Sequence, residues 1–132
     1  MNGIVAELKK VGVFYIATAD GAQPRVRPFG SVTEFENHAY ICCGNFKEVY
    51  KQLVANPKTE LCGMYSDGTS WLRVAATVVE DDRIEVQKAI LDDPTGPKGL
   101  YTAGDGRLAV FRLTDVKAFK YSFFSAPEEI KE

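Results

Sequence analysis

The chain has 132 residues, 45% of them apolar and 26% charged, with a formal net charge of −2. That length reads as one domain, residues 1–132, able to remove about two thirds of its unfolded surface from water. No apolar run approaches the ~20 residues of a membrane span, and an acidic balance lacks the broad positive field of nucleic-acid binders. The expected partner is therefore a small molecule, with neither nucleic acid nor membrane, and any basic site must be local.

The pattern predicts strands punctuated by turns, with short helices between them. Residues 2–10 carry Ile4, Val5 and Leu8 on one side, with Lys9 and Lys10 near the end and Gly12 after it, which predicts a short helix. Nothing in this N-terminus resembles an export leader, so a cytoplasmic protein is expected. Residues 11–19 are β-branched and aromatic and end at Asp20-Gly21, a hairpin turn. A second strand over 25–35 turns at Glu36-Asn37 and returns as 38–43. Pro28 has no N–H to give a ladder, so an edge or a bulge is expected there.

Residues 46–55 place Phe46, Val49, Tyr50 and Leu53 at i, i+3, i+4 and i+7, an amphipathic helix stopped by Asn56-Pro57. Asn45 followed by Glu48 has the spacing of a capping box. Strands are predicted over 59–65 and 69–79, joined at Asp67-Gly68, and a helix over 82–91. Pro94, Gly96, Pro97 and Gly99 make a loop, a strand covers 108–121, and Phe123 and Phe124 precede a polar tail. Six strands in hairpins with short helices indicate a mainly β (α+β) fold, a six-stranded antiparallel β-barrel with short flanking helices.

Three cysteines, Cys42, Cys43 and Cys62, form no CxxC pair, so neither a disulfide framework nor a metal site is read from them. Cys42 and Cys43 are strand neighbours and point to opposite faces; one can line a pocket while the other packs inside. His38 is the single histidine, beside a turn, so no catalytic histidine dyad is available.

The candidate site comes from basic residues on separate elements. Arg25 and Arg27 lie two apart in a strand and share a face, as do Trp71 and Arg73. Lys47 and Lys51 are four apart in a helix, near an N-terminus whose free amides favour an anion. An indole beside a guanidinium offers a resting face to a flat heteroaromatic ring. Together they suit a planar, phosphorylated ligand, although such residues are more often solvated or salt-bridged.

The succession Tyr15-Ile16-Ala17-Thr18, Asp20-Gly21, Pro24-Arg25-Val26-Arg27-Pro28, Lys47-Glu48-Val49-Tyr50-Lys51-Gln52-Leu53, Asn56-Pro57 and Trp71-Leu72-Arg73-Val74 resembles the pyridoxamine 5'-phosphate oxidase-like, FMN-binding split-barrel family. The likeness runs from about Leu8 to Tyr121, and is greatest to the small single-domain, nitroimidazole-resistance-like members. It implies a homodimer of split barrels with FMN between the subunits. By similarity Arg27 with Lys47 or Lys51 holds the phosphate, while the backbone of Val26, Arg27, Pro28, Cys42 and Cys43 edges the ring. Trp71 stands where the oxidases carry a glutamine that contacts FMN, and Arg73 matches an arginine of the same strand. The activity implied is an FMN-dependent oxidoreductase, reducing a small organic acceptor with electrons from a reduced nicotinamide. The alternatives are a flavin-storage protein or a split barrel using deazaflavin F420 or haem. The C-terminal Arg-x-His of the true oxidases is replaced by Lys120-Tyr121-Ser122-Phe123-Phe124, so oxidation of pyridoxamine phosphate is not expected.

Overall fold

A computed structural model describes residues 2–132. The first helix, α1 (Gly3–Val11), starts where Asn2 Oδ1 accepts from the amides of Ile4 at 2.9 Å and Val5 at 3.2 Å. Two of the amides orphaned at a helix start are thereby satisfied, and Ile4, Val5 and Leu8 drop into the core. Gly12, at φ +82°, takes a positive-φ conformation that glycine adopts without strain, and the helix ends there.

The strands follow as β1 (Phe14–Asp20), β2 (Gln23–Phe29), β3 (Thr33–Phe35) and β4 (His38–Gly44). Helix α2 (Glu48–Ala55) leads to β5 (Lys58–Met64) and β6 (Ser70–Glu80), and α3 (Ile84–Asp92) leads to β7 (Leu108–Ser122) and β8 (Glu128–Ile130). No helix among the described residues is long and apolar enough to cross a membrane.

All strands belong to one antiparallel sheet, in the order β2-β1-β5-β6-β7-β4-β3, with β8 added against β7. Strands β2 and β3 stand at opposite ends of this ladder, yet only residues 30–32 separate them in the chain. The sheet must therefore roll until its two ends nearly meet. No ladder joins those ends, so the barrel is split. Alternation fills it: Phe14, Ile16, Leu61, Leu72, Val74, Ile41 and Leu113 point inward and are buried. A smaller cluster of Tyr40, Val86, Ile90, Leu108 and Val110 lies under α3.

The sheet has eight strands, not six. The predicted strand 25–35 is interrupted at Gly30-Ser31-Val32, where Thr95 Oγ1 accepts from the Val32 amide at 3.1 Å and donates to the Val32 carbonyl at 3.0 Å. A side chain has taken the groups that a ladder would have used. The polar tail supplies β8, which pairs Ala118–Lys120 beyond the reach of β4. Only Ile130 marks that strand, packing against the core. The capping box does not form: Lys47 is the N-cap of α2, no side chain caps it, and Asn45 Nδ2 donates instead to the Gly106 carbonyl at 2.7 Å.

Candidate functional site

The split in the barrel opens a cleft of about 390 Å³. One wall is the outer edge of β2 at Arg27, Pro28 and Phe29; the opposite wall is β4 at Cys42, Cys43 and Gly44. Strand β2 pairs only with β1, and β3 pairs with β4 no further than Tyr40, so both walls present unpaired strand edges. Pro28 sits in one of those edges, and without an N–H it discourages closure by a further strand. The start of α2, Lys47 and Val49, forms one end, and Pro97, Leu100 and Tyr101 from the loop before β7 cover the other side.

Two cations mark the α2 end. Arg27 is half-buried, and every acceptor it has within the chain is neutral. Its Nη1 donates to the Ile16 carbonyl at 3.2 Å and Thr18 Oγ1 at 2.7 Å, and its Nη2 to Gln52 Oε1 at 2.6 Å. Burial pulls its pKa below the ordinary arginine value, with Arg25 pushing the same way. Among the described residues neither Arg27 nor Lys47 enters an ion pair. The amides of Glu48 and Val49, in the first turn of α2, have no acceptor among the described residues. Two uncompensated cations beside free helical amides are an arrangement whose chemistry suits an anion.

The β4 wall beside these cations carries no charge of its own. Cys43 is buried, and that burial pushes its thiol up to about 12, so it stays protonated at neutral pH. Burial also raises the Cys42 pKa, and its sulfur lies 3.8 Å from Ser31 Oγ. Although their side chains point to opposite faces, both cysteines border the cleft because it runs along the free edge of their strand. Gly44 permits a close approach here: a Cβ would stand 2.5 Å from the Tyr101 hydroxyl and 2.6 Å from the Phe46 ring. The Arg107 guanidinium lies over both rings, 4.9 Å from the Phe46 centroid and 5.6 Å from that of Tyr101, and so links the loop to the segment that leads into α2.

Of the residues singled out in the sequence, Arg27, Pro28, Cys42, Cys43 and Lys47 are brought together in the cleft, and the rest lie outside it. Arg25 pairs with Asp20 at 3.1 Å, Lys51 with Glu48 at 3.3 Å and Arg73 with Glu60 at 3.0 Å. Val26 faces outward from the sheet, fully on its exposed side. Trp71 stacks on Tyr121 with centroids 5.7 Å apart, and it is Tyr121, not the indole, that the Arg73 guanidinium covers at 5.2 Å. Sequence reasoning missed Thr18, Gln52, Leu100 and Tyr101. Gln52 falls on the buried stripe of α2 beside Val49 and Leu53, where a polar residue is itself a signal.

No protein-family model matches the chain, and no curated protein matches it by sequence. Solved structures do. A NimC/NimA family protein from Clostridium acetobutylicum is 40% identical, with a TM-score of 0.88 over 96% of this chain and 90% of that one. A pyridoxamine 5'-phosphate oxidase-related, FMN binding protein from Nostoc punctiforme superposes with a TM-score of 0.65 at 12% identity, over 98% of this chain and 94% of that one. A protein described as an F420 reductase gives 0.61 at 16% identity, over 82% of this chain and 89% of its own. The two distant likenesses show the fold alone. The first reaches through almost the full length of both sequences, and by it the chain belongs to the NimC/NimA family of pyridoxamine 5'-phosphate oxidase-like split barrels.

Proposed function

We propose that this protein is an FMN-binding flavoprotein, an oxidoreductase that passes electrons from a reduced nicotinamide to a small organic acceptor. The observation that carries this reading is the cleft's make-up: uncompensated Arg27 and Lys47 with free α2 amides, set beside unpaired strand edges and a neutral wall at Cys42 and Cys43. The residues present fit a phosphorylated planar group. Arg27, Lys47 and the amides of Glu48 and Val49 would hold a phosphate. The edges of β2 and β4 would meet the ring, whose heteroatoms need backbone partners of the kind those edges offer.

When bound, FMN supplies the redox chemistry, accepting and returning an electron pair. The chain's part is binding, orientation and exclusion of water by Leu100 and Tyr101. With the Cys43 thiol held protonated, that wall adds no second negative charge near a reduced ring. His38 is not among the cleft residues, which favours flavin over haem here.

The working unit we propose is a homodimer with FMN at the subunit interface. The outward face of the sheet supports it, because Tyr15, Val26, Met64, Phe123 and Phe124 are exposed there and beyond it, the last at 82%. Apolar surface gathered in this way is a mark of an interface. Pro28 lies both on that face, opposite Tyr15, and in the cleft, so such a dimer would put the cleft at its rim.

The test is the visible spectrum of the purified protein after incubation with FMN and desalting, followed by stopped-flow mixing with reduced nicotinamide. Retained stoichiometric flavin that bleaches on mixing, and recovers with a quinone or nitroaromatic, is the expected result. Retained flavin that nicotinamides do not reduce would leave a flavin-storage protein; a colourless folded protein would remove the flavin reading.

A further inference from the structure

The three side chains behind the candidate anion site form a closed ring. Thr18 Oγ1 donates to Gln52 Oε1 at 2.6 Å and accepts from Arg27 Nη1 at 2.7 Å, while Arg27 Nη2 donates to the same Gln52 oxygen at 2.6 Å. Thr18 and Gln52 are buried at 5% and 7% exposure, so the ring anchors the guanidinium from inside the barrel. The N–H of Nε and one N–H of Nη2 are left without an acceptor among the described residues.

For the stability of the empty protein, glutamine is a poor choice at this position. A glutamate of the same length would accept the same two hydrogen bonds, strengthen both by its charge, and pair a half-buried cation that otherwise has no counter-ion. The neutral amide orients Arg27 without neutralising it. That is a disadvantage until an anion arrives, and an advantage afterwards.

We infer that Gln52 is a specificity-determining residue: its neutrality keeps the Arg27 charge available to a phosphate, and so makes the cleft prefer a phosphorylated flavin to the same flavin without phosphate. This rests on the flavin reading above. Gln52 acts through Arg27 and touches no ligand itself. Thr18 is the spacer that fixes the distance between them.

The experiment compares FMN and riboflavin affinities, by quenching of flavin fluorescence, for the wild-type chain, Gln52→Glu and Gln52→Met. The wild-type chain should bind FMN well and riboflavin weakly. Gln52→Glu should weaken FMN by about tenfold to a hundredfold, the range for losing a hydrogen bond to a charged group, with riboflavin unchanged. Its apo-protein should melt no lower than wild type. Gln52→Met, neutral but without an acceptor, should lose less FMN affinity than Gln52→Glu. Equal losses for FMN and riboflavin, or a Gln52→Met as damaging as Gln52→Glu, would overturn the inference and leave the flavin reading standing. If Gln52→Glu does not fold, Gln52→Met decides alone: because it too is neutral, a retained preference for FMN over riboflavin supports the inference, and a lost preference overturns it. A wild-type chain that binds neither flavin overturns both.

Discussion

Arg27 and Lys51 look alike in the sequence, two basic residues in motifs of the same family, and the structure separates them by what each already holds. Lys51 is exposed and satisfied by Glu48 one turn away, an arrangement worth little to stability or binding. Arg27 is half-buried with neutral partners only. Arg27→Ala should therefore weaken FMN by roughly tenfold to a hundredfold, Lys47→Ala by less, and Lys51→Ala by nothing measurable, all by fluorescence titration. Cys43 makes a second prediction. Because its thiol is pushed up to about 12, the reactive thiolate is scarce at pH 8, and mass spectrometry should find Cys43 unalkylated by iodoacetamide after free cysteine is consumed. The charged residues of the cleft were legible in the sequence because charge in a strand or at a helix start demands an explanation. Tyr101 and Leu100 were not, since nothing local says that a loop following α3 will fold back across β4.

Among the elements, helices and strands whose apolar spacing alone sets them came out as the periodicity indicates, and those that depend on a distant partner did not. The capping box required Asn45 to stay at the helix, but the carbonyl of Gly106 competes for its amide. β2 and β3 read as one strand because Thr95, far along the chain, is what divides them. Two predictions belong here. Gly44→Ala pushes a Cβ against the Tyr101 hydroxyl and the Phe46 ring, so it should displace the loop from the cleft and weaken FMN several-fold while costing about 1–3 kcal/mol of stability in urea melts. The junction of β6 and α3 has its own acid sensitivity. Hydrogen bonds from Arg83 and from the Tyr40 hydroxyl hold the Asp81 pKa down at about 2, below an ordinary 3.8. A depressed carboxylate stabilises the fold above its unfolded pKa and ceases to as pH falls through its folded one. Asp81→Asn should thus be less stable than wild type at pH 7, with the difference shrinking between about pH 4 and pH 2, as urea midpoints would show.

At the scale of the whole molecule, the mainly antiparallel class followed from alternation and hairpin turns, whereas the order of strands did not, because pairing between β1 and β5 or β4 and β7 spans long stretches of chain. The outward apolar face was hidden for the same reason: Tyr15, Met64 and Trp71 become neighbours only once β1, β5 and β6 lie side by side. If that face joins two copies, Met64→Glu should shift sedimentation from dimer toward monomer and weaken FMN in parallel, since the cleft would lose its rim. Another consequence comes from the link between β2 and β3. One wall of the cleft, β2, is tied by residues 30–32 to β3, which is laddered to β4, the other wall; at full stretch that tether covers roughly 10–14 Å. The two walls are consequently coupled: β2 cannot draw far from β4 without pulling on the β3–β4 ladder, so the chain itself sets an upper bound on the width of the cleft. A ligand that needs more room than this bound allows has to find it on the side covered by Pro97, Leu100 and Tyr101, where no ladder binds the loop to either wall.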